Sequence, residues 1–142
     1  MRFWDTSALV PLLLHEQASA AAAELQRAHP DVVVSWITLV ECGSAIARRE
    51  RDQIIEPADA TVAFARLDEL ARAWHEVEPS NEAREIARRL LRAYPLRAGD
   101  AIQIASATLA AERRPATLEF VTLDDRQQAA ARKEGFMVVV PS

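Results

Sequence analysis

Short apolar runs alternate along the chain with longer stretches whose apolar positions recur every three or four residues. Arg2–Trp4 reads as a strand that ends at Asp5, and residues 7–14 and 18–27 read as helices. His29-Pro30-Asp31 breaks the pattern. The β-branched run Val32-Val33-Val34 predicts a buried strand. The next helix starts near Thr38 and runs to Arg51, with Leu39, Cys42, Gly43 and Ile46 on one face. Pro57 suits the first turn of a helix that continues to about Ala73. His75–Val77 is a short strand, and Ser80 or Asn81 caps a helix over residues 82–93. Pro95 and Gly99 interrupt the helical pattern, and Asp100 opens a new helix with Ala101, Ile104, Ala105 and Thr108 on one face. A strand is expected over residues 117–122, a helix over 124–134 closed by Gly135, and a last strand over 136–140 stopped by Pro141.

Five strands separated by helices predict an α/β fold with a parallel sheet covered on both faces. The strands are mostly continuous apolar runs, as expected for a sheet covered on both sides. A length of 142 residues fits one domain, and half of them are hydrophobic, enough for a core at this size. The single cysteine, Cys42, excludes an internal disulfide and reads as a small core residue, which fits a reducing, cytoplasmic compartment. The apolar run of residues 8–14 contains Pro11 and falls short of the roughly 20 residues of a membrane span, so neither a leader nor a membrane association is expected.

A net charge of −4 speaks at first against a nucleic-acid partner, but a binding site is a local matter. Lys133 is the only lysine, so nearly all the cations are arginines, which bind phosphate bidentately.

Ligands in open α/β sheets gather beyond the carboxyl ends of the strands. Asp5 directly follows the first strand, and Thr122 and Asp124 follow the fourth. Glu41 lies early in the helix entered from the second strand, and Asp100 stands at a helix start after a loop that could cross the same edge. Four acids from distant segments could therefore face one point. Mg²⁺ and Mn²⁺ take oxygen ligands, and a two-metal site orients a phosphodiester for in-line attack by water. Each acid also has a plain structural reading. Asp5, Asp100, and Asp124 or Asp125 could cap helices, and Glu41 could be a solvated helix residue. Glu41, however, stands in a lightly charged stretch of small residues, where a carboxylate is costly to bury without a partner or a metal.

The stretches Phe3-Trp4-Asp5-Thr6-Ser7-Ala8-Leu9, Thr38-Leu39-Val40-Glu41-Cys42, Arg97-Ala98-Gly99-Asp100-Ala101 and Phe120-Val121-Thr122-Leu123-Asp124 resemble the four acid-bearing motifs of PIN-domain nucleases. The likeness is nearest to the VapC-type toxins of type II toxin–antitoxin pairs, covers essentially the whole chain, and keeps the motifs in order. It implies a PIN-like three-layer sandwich with a parallel five-stranded sheet, and a Mg²⁺- or Mn²⁺-dependent endoribonuclease. By motif, Asp5, Glu41, Asp100 and Asp124 would be the catalytic and metal-binding acids, with Asp125 an adjacent alternative to the fourth. Thr6 matches a hydroxyl that orders the first acid or a metal-bound water, and Thr122 the hydroxyl two residues before the last, and both are expected on the substrate side of the site. The resemblance further implies a homodimer, an RNA substrate and a small VapB-type antitoxin that inserts a segment into the acidic pocket. The same domain also serves in RNA maturation outside toxin–antitoxin systems, and an inert binding relative is a further alternative.

Arg97 and Arg126 flank the third and fourth acids and are the candidate phosphate contacts. Arg84, Arg88 and Arg92 form a basic stripe that either tracks an RNA backbone or is a solvated face. His15, His29 and His75 have no metal-ligand spacing, and Trp36 and Trp74 read as packing residues. Two other acid-bearing classes fit poorly. A phosphoacceptor receiver would need a lysine after a late strand, and Lys133 lies in the final helix. A haloacid-dehalogenase-like phosphatase would need an acid at position 7, where Ser7 stands.

Overall fold

The computed structural model describes all 142 residues. In chain order the elements are β1 (Arg2–Trp4), α1 (Thr6–Leu13), α2 (Ser19–Ala28), β2 (Val32–Ser35), α3 (Thr38–Arg51), α4 (Pro57–Ala73) and β3 (His75–Val77). There follow α5 (Asn81–Ala93), α6 (Ala98–Ala110), a 3-10 turn (Pro115–Thr117), β4 (Glu119–Val121), α7 (Asp125–Lys133) and β5 (Met137–Val139). Every strand pairing is parallel, and the strands lie in the order β3-β2-β1-β4-β5. The chain therefore winds outward from β1 to β3, then returns to the other side of β1 to add β4 and β5. The reversal leaves a crevice between the carboxyl ends of β1 and β4, the place where such sheets bind ligands.

Side chains alternate across the sheet and divide the core in two. Trp4, Val34 and Val121 point into one layer with Leu9, Leu13, Ile46 and Leu67 of α1, α3 and α4. Phe3, Val33 and Phe120 point into the other with Ile86, Leu90, Ile104 and Ala130 of α5, α6 and α7. Each large apolar side chain so buried contributes about 1.5–3 kcal/mol. Phe3 and Phe120 stack with ring centroids 5.4 Å apart, which locks β1 against β4 directly below the crevice.

Three expectations change in detail. The buried face of α3 is Thr38, Cys42 and Ile46, whereas Leu39 is 38% exposed. Spacings of four hold the inward line here, so Leu39, one residue off it, faces solvent. Gly99 does not break a helix: α6 starts at Ala98, and Gly99 lies in its first turn. The fourth strand is shorter than residues 117–122, because Thr117 closes the 3-10 turn and Thr122 leaves the strand after pairing its N–H with Val139. Gly135 has φ 104° and ends α7 in the left-handed conformation that its position predicts.

Candidate active site

A cleft of about 500 Å³ opens at the crevice, and Asp5, Glu41, Asp100 and Asp124 all line it. Each acid is placed by its local element. Asp5 leaves β1 in an extended conformation and caps α1, its Oδ2 accepting from the Ser7 N–H at 3.0 Å. Asp100 lies in the first turn of α6, and its Oδ2 accepts from the Arg97 N–H at 3.2 Å. Asp124 caps α7, its Oδ1 accepting from the Gln127 N–H at 2.9 Å. The helix caps foreseen as a plain alternative are thus real, and the same three side chains still face one cavity. Asp125 is exposed on α7 and does not line the cleft, which singles out Asp124 of the two neighbours.

Two buried glutamines, absent from the expectations, tie the acids together. Gln103 of α6 is 1% exposed, and its Nε2 lies 2.7 Å from Glu41 Oε1. The same nitrogen lies 3.2 Å from Thr6 Oγ1 and 3.1 Å from Thr38 Oγ1. Thr6 also donates to Glu41 Oε1 at 2.7 Å. Gln127 of α7 is likewise 1% exposed. Its Nε2 donates to Asp5 Oδ1 at 3.0 Å and reaches Asp100 Oδ1 at 3.3 Å. Its Oε1 accepts from Thr122 at 2.8 Å. Each glutamine follows an acid by three residues on the same helix, which puts both on one face. That spacing was the signal available in the sequence.

Thr122 is fully buried beneath Asp5, and its hydroxyl also accepts from the Asp124 N–H at 3.1 Å. It braces the site from below and does not line the cleft. Arg97 and Arg126 are exposed and do not line it either. The arginines that do are Arg48 and Arg49 of α3. His15, His29 and His75 are exposed and lie elsewhere. Trp74 is packed in the core, and Trp36 is half-buried. Arg84, Arg88 and Arg92 are all exposed on α5.

The electrostatics are those of crowded carboxylates. Burial pushes Asp5 up to about 6, against hydrogen bonds from Ser7 and Gln127 that favour its charged form, and Glu41 adds to the rise. Asp100 is also raised, first by burial and then by the negative charges of Asp124 and Glu41. Burial, then the negative charges of Asp5 and Glu41, push the Cys42 thiol up to about 12. An all-oxygen donor set in which Asp5 and Asp100 disfavour their own charge suits a hard divalent cation. No three His, Cys, Asp or Glu side chains are yet gathered tightly enough to grip one ion. Two partners hold the acids at their present spacing: Gln103 on Glu41, and Gln127 on Asp5 and Asp100.

Fold and cleft together define a class: a parallel α/β domain with a carboxylate-lined cleft where the strand order reverses. The chain belongs to the PIN domain family, whose family model matches residues 2–133. In fold it is similar to a chain of a toxin–antitoxin complex from Klebsiella pneumoniae, at 22% identity and TM-score 0.69, covering 100% of this chain and 98% of that one. It is similar to a chain of FitAcB from Neisseria gonorrhoeae, at 19% identity and TM-score 0.66, covering 100% and 97%. A chain of VapBC2 from Rickettsia felis, bound to a DNA fragment from its promoter, is similar at 12% identity and TM-score 0.66, covering 99% and 98%. No curated protein matches the chain significantly in sequence.

Proposed function

We propose that the chain is a divalent-metal-dependent endoribonuclease that acts as the toxin of a type II toxin–antitoxin pair. One observation carries the nuclease reading: four carboxylates, distant in sequence and set by four different elements, line one cleft at the reversal point of a PIN-domain sheet. Two groups near the acids that could act as nucleophiles are engaged or withheld. Ser7 Oγ accepts from the Leu123 N–H at 2.9 Å and pairs with Thr122 at 3.1 Å. Cys42 is buried, with its thiol held protonated. In this reading the attacking group is water, and the protein's task is orientation.

Mg²⁺ or Mn²⁺, held by Asp5, Glu41, Asp100 and Asp124, would lower the pKa of water and offset charge on the phosphoryl oxygens. Thr6 and Gln103 fix Glu41 through Oε1 and leave its Oε2 without a protein donor. Asp124 is fixed through Oδ1 and likewise keeps Oδ2 open. Ser7 and Gln127 hold Asp5 from both sides.

The toxin reading is supported by end-to-end likeness to chains of toxin–antitoxin complexes. It brings a VapB-type antitoxin that fills the acidic cleft, a homodimer, and a cytoplasmic site of action, with which the lone Cys42 agrees. No helix is long and apolar enough to cross a membrane. The test is incubation of partner-free protein with total cellular RNA, in Mg²⁺ or Mn²⁺ and then in chelator, with the fragment ends mapped. Discrete metal-dependent fragments are expected. Intact RNA in every metal, from folded protein, would overturn the reading in favour of an inert binding relative.

A further inference from the structure

A cleft built of carboxylates faces a difficulty with an RNA substrate, because it repels the polyanion it must bind. Besides the four acids, Glu16 also lines the cleft, against only two cations, Arg48 and Arg49. Both arginines lie on the face of α3 that carries Glu41, at seven and eight residues beyond it, with Ala45 between. Their situations differ. Arg49 is engaged: its Nη2 pairs with Glu16 at 2.6 Å, and its Nη1 donates to the Ala45 carbonyl at 3.1 Å. Arg48 is exposed and makes neither an ion pair nor a side-chain hydrogen bond. The cleft thus holds one uncompensated positive charge. It stands two helical turns, about 10 Å, from Glu41.

We propose that Arg48 forms a phosphate subsite of the cleft, which binds the RNA backbone beside the scissile bond, while the Glu16–Arg49 pair holds a second guanidinium in reserve. The distance from Glu41 assigns Arg48 to a flanking phosphate and leaves the scissile one to the acids. A planar guanidinium with free donors suits bidentate capture of a phosphate. The inference rests on the nuclease reading and takes the place of the contacts expected of Arg97 and Arg126, which do not line the cleft.

The test uses the Asp5→Asn protein, so that RNA is bound and not cut, with a fluorescein-labelled single-stranded RNA in constant Mg²⁺. Anisotropy is read over a range of KCl concentrations. Arg48→Gln should weaken binding several-fold and lower the slope of log affinity against log salt by about 0.7, the loss of one phosphate contact on a single strand. Arg48→Lys should restore most of that slope. Glu16→Gln should act in the opposite sense and tighten binding, since it removes a negative charge and releases Arg49. Arg51→Gln, on the same helix but outside the cleft, is the control. In the otherwise wild-type protein, Arg48→Gln should raise KM with little change in kcat. An Arg48→Gln variant that matches Arg51→Gln in affinity and slope would overturn the subsite while the nuclease reading stands. A parent protein that neither binds nor cuts RNA would overturn both.

Discussion

Gln127 donates to Asp5 at 3.0 Å, joining the carboxyl end of β1 to α7 across 122 residues of sequence. The same amide nitrogen reaches Asp100, and its backbone N–H is held by Asp124. One neutral residue therefore contacts three of the four acids, two of them through its side chain. It supplies hydrogen bonds where a second charge of either sign would upset the balance among them.

Gln127→Glu keeps the shape and turns the donor into a further carboxylate. Without metal at pH 8 the variant should melt lower than wild type by about 5 °C or more, from like-charge repulsion against Asp5 and Asp100. Mn²⁺ should then raise its Tm by more than it raises that of wild type, since a cation offsets the added repulsion. Thermal melts with and without Mn²⁺ read both effects. Equal Mn²⁺-induced shifts in the two proteins would show that Gln127 merely packs.

Gly99 is held to its identity by proximity. A Cβ there would lie 2.8 Å from Glu41 Oε2. The obstructing atom is the end of a flexible side chain, so the fold can yield, but only by moving Glu41 off Thr6 and Gln103. Alanine also favours the helix over glycine by about 1 kcal/mol. Gly99→Ala should leave Tm unchanged or slightly higher while RNA cleavage falls on the order of tenfold or more, as expected when an acid's support is disturbed. A melt and an initial-rate assay on the same preparation suffice.

The pH dependence of stability follows from Asp5. Its folded pKa of about 6 lies above the ordinary 3.8. The folded state thus holds this proton more tightly than the unfolded chain does. The resulting stability is full below about pH 4 and is lost as pH rises through 6, a cost on the order of 3 kcal/mol for one buried carboxylate. The raised Asp100 acts in the same direction. Metal-free Asp5→Asn, which keeps an oxygen to cap α1, should therefore gain on wild type in Tm between pH 5 and pH 8. Parallel curves for the two proteins would contradict the burial argument.

Much of this was legible in the sequence. Apolar runs marked the strands at the centre of the sheet, and turn residues marked most element ends. The acids could be located because each stands at a predictable point, a strand end or the start of a helix. What could not be read was set by contacts between distant segments. Gln103 meets Glu41 over 62 residues, and the Asp5–Gln127 pair is more remote still. Arg97 and Arg126 were chosen for nearness in sequence to an acid, but Arg97 is the N-cap that precedes α6, and Arg126, two residues past Asp124, is turned about 200° around α7, so both are exposed outside the cleft. Arg48, seven residues from Glu41, shares its face. Leu39 shows the same limit from the other side. An apolar residue at a plausible spacing stays exposed when the neighbouring line, Thr38-Cys42-Ile46, already fills the core.

The most direct measurement is hydrolysis of a labelled single-stranded RNA in Mn²⁺ by wild type and by Asp5→Asn, Glu41→Gln, Asp100→Asn, Asp124→Asn and Asp125→Asn. All five substitutions are isosteric, and Asn preserves the caps on α1 and α7. The four cleft variants should each lose on the order of a hundredfold in rate, about 3 kcal/mol of barrier, while Asp125→Asn stays near wild type. Full activity in Asp5→Asn and Asp100→Asn would contradict the assignment and leave these carboxylates as helix caps.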